Sequence, residues 1–262
     1  MSSSPSFNLT QGTSVWRADA LARPEGAVRG TGFAALDAQL PGGGWPVGAM
    51  VELLQPPDQH HEWQLLLPAL ARLEPGACSG VVLVGAPHVP FGPALAAQGL
   101  EPRRLMWIHT AVPLERLWAA EQALRCAGVV AVLAWLPLAR PDQLRRLQMA
   151  AVGHAKLLFV MRPAQVQGQA SPAVLRLYLL AALPGQLMGE TQAGQGAGGG
   201  YADGLGMVLH LLKRRGPPLM APLLLRAGPA RLAALLAMGR TGASAKTQCE
   251  ADHALDCTAL AA

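Results

Sequence analysis

Three side chains capable of chemistry stand together at His60, His61 and Glu62, between an apolar run and a helical one. Two imidazoles beside a carboxylate offer metal ligation, or a general base with an acidic neighbour. The spacing argues against both. Adjacent residues at a helix start point about 100° apart, so the imidazoles do not converge on one ion as a pair four residues apart would. The group fits a helix entrance better, with Asp58 as an acidic cap and Glu62 complementing the helix dipole. In the tail, Cys249, His253 and Cys257 place three zinc-type ligands four residues apart. On a continuous helix the outer two lie about 12 Å from each other, too far to share an ion unless the tail bends. No metal and no cofactor is expected.

The cations that could meet phosphate or an acidic partner are Arg145, Arg146, Lys213, Arg214 and Arg215. Lys213–Arg215 is the better candidate, because it ends a strand-like run directly before Gly216-Pro217-Pro218. Arg162 and Arg176 could line the same edge. A solvated helix face or strand end is the plainer reading of all of them. Trp63, Trp107, Trp118 and Trp135 read as core anchors, whereas Trp16 stands on an N-terminal arm outside the main pattern.

These residues are carried on an alternation of two patterns. Nearly continuous apolar runs at 49–54, 80–85, 105–109, 129–135 and 156–161 read as strands buried on both faces of a parallel sheet. Helical segments at 62–72, 90–98, 114–126 and 141–152 separate them, which argues an α/β fold with a mostly parallel sheet flanked by helices. Runs at 174–183 and 206–213 read as strands that pair antiparallel and extend that sheet. The Gly-rich stretch 189–204 between them reads as a flexible loop. The organisation expected is an arm and linker over 1–29, a core over 30–227, and a C-terminal helix with a flexible tail over 228–262. Residues 231–240 of that helix carry an apolar stripe suited to packing in a groove. Pro68, inside 62–72, removes a helix hydrogen bond and predicts a kink.

Composition narrows the class. Of the 262 residues 51% are hydrophobic and 14% charged, leaving a thin charged surface of the kind a partner covers. A net charge of +5 and a pI near 9.4 are compatible with nucleic acid, but the charge is not gathered into basic blocks. The start MSSSPSFNLT has neither a basic region nor an apolar one, so no secretory signal is expected. The apolar stretch 127–139 is too short to span a bilayer. Scattered Cys78, Cys126, Cys249 and Cys257 suit a reducing compartment, and a cytoplasmic location is expected with no membrane contact.

The chain resembles the RecA recombinase superfamily and, more closely, the ImuA family of translesion-synthesis accessory proteins. The likeness covers about residues 14–227 and rests on GFAALDAQLPGGGWP from Gly32, APHVPFGPALA from Ala86, LWAAEQALR from Leu117 and VLAWLP from Val132. It continues with LRRLQMA from Leu144, SPAVLRL from Ser171 and KRRG from Lys213. The resemblance implies a RecA-like fold in which the run 49–54 leads into a phosphate cradle of the form G-x-x-x-x-G-K-[ST]. In that register Gln55 and His60 stand at the two glycines, His61 at the lysine and Glu62 at the hydroxyl. Pro87 stands where a glutamate would polarise water, and Ala134 where an aspartate would hold magnesium. The parts that phosphoryl transfer needs are absent, so a protein that is not an enzyme is expected.

The two loops that grip single-stranded DNA in RecA are also cut back, to the helix 141–152 and the short stretch 162–172. The family then implies a damage-induced bacterial mutasome adaptor. Its partners would be a catalytically inactive Y-family polymerase homologue (ImuB-like), RecA and an error-prone replicative-type polymerase, with DNA contact mainly through the complex. In RecA relatives the N-terminal arm packs on a neighbouring subunit, which makes Trp16 an interface candidate. Two other readings remain open at this point. One is a rearranged ATPase using His61 and Glu62. The other is a SulA-like inhibitor of cell division, although such inhibitors are shorter and lack the two-strand extension.

Overall fold

The computed structural model describes residues 26–74, 79–182 and 206–226. The chain enters as a small antiparallel ribbon, β1 (Val28–Arg29) against β2 (Trp45–Pro46), enclosing the one-turn helix α1 (Ala34–Asp37). Then follow β3 (Ala49–Gln55), α2 (Glu62–Leu70), β4 (Gly80–Val84), α3 (Gly92–Ala97), β5 (Leu105–Ile108) and α4 (Pro113–Arg125). Next come β6 (Val129–Trp135), α5 (Pro141–His154) and β7 (Leu157–Pro163). A 3-10 turn at Ala164–Val166 leads to β8 (Leu175–Ala181), and β9 (Gly206–Lys213) and β10 (Leu223–Arg226) complete the sequence.

Eight strands form one sheet in the order β10-β9-β8-β3-β7-β6-β4-β5. Every pairing from β8 to β5 is parallel, while β9 and β10 add antiparallel at one edge. The fold is therefore α/β, with a mostly parallel sheet, flanking helices and an antiparallel extension, consistent with a RecA-like layout. The expected pairing of the two late strands is present, and β10 is a third that the sequence reading did not anticipate. The ribbon β1–β2 and the turn α1 were likewise unanticipated as regular elements.

The alternation within the strands explains why helices cover both faces. Val51 and Leu53 of β3, Leu83 of β4 and Phe159 of β7 face a core shared with Leu36 of α1, Leu65 and Leu66 of α2 and Leu95 of α3. Their neighbours Met50, Val82, Val84 and Val160 face a second core, formed with Ala120 and Leu124 of α4 and Leu144 and Leu147 of α5. Trp45, which the sequence reading passed over, is wholly buried in the first core, edge-on to Phe159 with ring centroids 5.4 Å apart. Trp135 is buried as expected and Trp63 is partly buried. Trp107 and Trp118 are not core anchors: they are 40% and 65% exposed, at the edge strand β5 and on the outer side of α4.

Pro68 does lie inside α2, which ends two residues beyond it instead of running to 72. Its ring explains a glycine. Gly32 has φ +95°, and a Cβ there would come 2.5 Å from the Cβ of Pro68, so no larger residue fits without displacing the helix. Residues 1–25, the Gly-rich stretch 189–204, the helix expected after 228 and the tail lie outside the described residues, and with them Trp16, Cys249, His253 and Cys257. Among the described residues no helix is long and apolar enough to cross a membrane.

Candidate functional site

β3 delivers Gln55 and α2 begins at Glu62, so the residues in phosphate-cradle register stand at one junction. The junction is closed by side chains. Gln55 and Glu62 are buried, 6% and 2% exposed, and the Gln55 amide Nε2 donates to Glu62 Oε2 at 2.8 Å. The Gln55 Oε1 in turn accepts from the backbone N–H of His61 at 3.2 Å. The Gln55 side chain thus spans the turn and meets an N–H at the helix entrance. Glu62 complements the dipole at the first helical position, as expected. Asp58 does not cap α2: the N-cap position is His61, with no side-chain cap, and Asp58 is exposed beyond it.

The two imidazoles diverge. His60 lies edge-on to His88 with ring centroids 5.2 Å apart, and its Nδ1 is 3.7 Å from Glu62 Oε1. His61 Nδ1 sits 3.2 Å from Gln64 Oε1, along its own helix. Among the described residues no three His, Cys, Asp or Glu side chains are grouped to hold a metal ion. Ala134 is completely buried in β6, paired between Val84 and Val160 in the second core. Pro87 is exposed in the loop after β4. Neither position presents a group that could bind magnesium or orient water.

Three residues earlier on β3 lies the polar centre that sequence reasoning missed. Glu52 is wholly buried and accepts from Arg162 Nη1 at 2.9 Å and from Arg176 Nε at 2.6 Å. Arg162 is on β7 and Arg176 on β8, the strands on either side of β3, so one carboxylate ties three adjacent strands. Arg162 also donates to the carbonyl of Ala139 and to Gln169, and Arg176 to the carbonyls of Val166 and Gln167. These bonds hold down the short loop after β7. Arg162 and Arg176 therefore do not line an outer cationic edge with Lys213: both are buried, and their guanidinium groups are held by these partners. The detectable signal was Glu52 itself, a carboxylate inside an otherwise apolar strand.

The remaining cations are dispersed. Lys213 ends β9 and donates to the carbonyl of Ser171 at 3.1 Å. Arg214 turns back onto the carbonyls of Gln39 and Pro217, whereas Arg215 is exposed. Arg146 pairs with Glu121 at 2.7 Å across α4 and α5, and Arg145 is an exposed neighbour. The loops after β6 and β7 are short and enclose an open, mostly apolar cleft of about 780 Å³ walled by Leu138, Pro141, Pro163 and Val166. No protein-family model matches this chain, and the comparison with curated proteins finds no match. Fold and junction together give an α/β protein with a mostly parallel sheet, consistent with a RecA-like layout, in which the turn between β3 and α2 is filled by the chain's own side chains.

Proposed function

We propose that this protein is a non-catalytic, RecA-like adaptor that supports error-prone translesion DNA synthesis in a bacterial SOS response through contacts with other proteins. The observation that carries the reading is the buried Gln55–Glu62 pair at the entrance of α2. A triphosphate at that place needs free backbone N–H groups, a lysine and a hydroxyl holding magnesium. Here an amide side chain meets the His61 N–H, and a carboxylate at the hydroxyl position repels phosphate. Ala134 and Pro87 supply neither the metal ligand nor the water activator. A rearranged ATPase built on His61 and Glu62 is disfavoured because the Glu62 carboxylate is buried and taken up by the Gln55 amide. The strand pair over 174–213, β8 against β9, speaks against a SulA-like inhibitor.

A surface for holding proteins is available. Around the edge strand β5 the exposed apolar residues include Phe91, Met106, Trp107, Leu114 and Trp118. They lie on both faces of the sheet near its β5 edge, and exposed aromatic and aliphatic side chains of this kind are suited to protein contacts. The ImuA resemblance supplies the partners: an inactive Y-family polymerase homologue, RecA and an error-prone replicative-type polymerase in the cytoplasm. Co-expression with such a polymerase homologue, followed by size-exclusion chromatography, tests the reading. A shared peak is expected. A monodisperse monomer that ignores the homologue, or micromolar magnesium-dependent ATP binding that His61→Ala abolishes, overturns it.

A further inference from the structure

The cleft between the loops after β6 and β7 carries a charge that its surroundings do not balance. Arg140 and Arg162 are the charged residues of its lining. Arg140 is exposed and has the equally exposed Asp142 beside it at 3.6 Å. Arg162 is buried and shares Glu52 with Arg176, so one buried carboxylate serves two buried guanidinium groups. The carbonyls of Ala139, Val166 and Gln167 offset part of the excess, but as dipoles and not as charges. Arg162 Nε is also buried, and among the described residues it has no hydrogen-bond partner. A buried donor without an acceptor is costly, and more so when it belongs to a charged group.

Nε and Nη2 form one edge of the planar guanidinium, an edge that grips a carboxylate through two parallel bonds. Here the amide of Gln169 meets that edge through a single bond, with Nη2 donating to its Oε1 at 3.2 Å. Gln169 is exposed and lines the cleft. A side chain of glutamine length thus reaches the buried guanidinium from the lip, and a glutamate has the same reach with the balancing charge. Most of the remaining lining is apolar, and Leu138 within it is 73% exposed. An open cleft of about 780 Å³ has room for a few residues of peptide. A nucleic-acid strand calls for cations along several phosphates, and this lining offers two. We propose that the cleft binds an apolar peptide segment of a partner protein through one glutamate, whose carboxylate replaces the Gln169 amide on Arg162. The apolar neighbours of that glutamate cover Leu138 and the prolines at 141 and 163. The proposal stands on the buried charge and the cleft, so it holds or fails apart from the adaptor reading.

Nitrogen-15 NMR of the full chain, following the Arg162 Nε–H signal, tests it. The peptide acetyl-Leu-Glu-Leu-amide should shift that signal saturably, and its glutamine counterpart should bind about tenfold more weakly. Substituting Arg162 would also unpair Glu52, so the variants are placed at exposed positions. Gln169→Glu puts the carboxylate on the chain itself, and should raise Tm by roughly 3 °C and abolish the peptide's effect. Leu138→Ser should weaken binding about threefold with Tm unchanged. The proposal is overturned if the glutamate peptide leaves the signal unmoved, if the glutamine peptide binds as well, or if Gln169→Glu still binds. It is also overturned if acetyl-Leu-Gln-Leu with a free C-terminal carboxylate binds better, since a chain end is then the ligand. A single-stranded oligonucleotide that moves the signal where the peptide does not would overturn it in favour of phosphate.

Discussion

Glu52 and Gln55 leave the same strand three residues apart, both buried and both hydrogen-bonded, yet they organise different scales of the molecule. Glu52 reaches arginines 110 and 124 positions away and ties β7, β3 and β8 into one block. Gln55 reaches Glu62, seven positions on, and shapes a single turn. The first arrangement holds the sheet. The second fills a place that a phosphate-binding strand would leave open. The contrast teaches that polarity in this interior serves the chain: neither group is left facing a site where a ligand could replace its partner.

Substitutions separate the two. Glu52→Ala should have the largest effect, a loss of roughly 3–5 kcal/mol in urea unfolding, because it strands two buried guanidinium groups. Replacing Glu52, Arg162 and Arg176 together by apolar residues of similar volume should leave stability near wild type, since no charge then remains unpaired. A triple variant as unstable as Glu52→Ala would show that the block depends on charge itself. Gly32→Ala should cost about 2 kcal/mol, from a positive φ and the Pro68 ring.

Glu62→Ala comes next, at about 1.5 kcal/mol, the cost of leaving the Gln55 amide without its acceptor. Calorimetry of that variant should show no saturable binding of magnesium-ATP, because lysine and acidic ligands are still missing. If ATP does bind, the Glu62 carboxylate alone was keeping phosphate out. Arg146→Ala, which breaks an exposed bridge to Glu121, should change stability by no more than about 0.5 kcal/mol.

Much of the scaffold was legible from consecutive residues. The apolar runs at 129–135 and 206–213 coincide with β6 and β9, and the helical segment at 141 begins where α5 begins. The two imidazoles part as expected, but not through helical spacing: His61 is the N-cap and His60 precedes it, so the turn before α2 sets their directions. The tryptophans were misjudged for a definite reason. Trp107 lies in a run as apolar as any central strand, but β5 is an edge strand, and an edge strand is covered on fewer sides. Asp58 failed as a cap because the cap of a helix that begins at Glu62, as expected, is His61, three residues after Asp58.

Local pattern therefore accounts for the strands β3 to β9, the helices α2 to α5, their alternation and the absence of a phosphate-cradle motif between β3 and α2. Each is a property of neighbouring residues, set by burial period and backbone chemistry. The order of strands in the sheet and the meeting of Glu52 with Arg162 and Arg176 arise from contacts between segments distant along the chain. Such contacts depend on which strands pair side by side, a choice made by the packing of whole layers and invisible in any one run of residues.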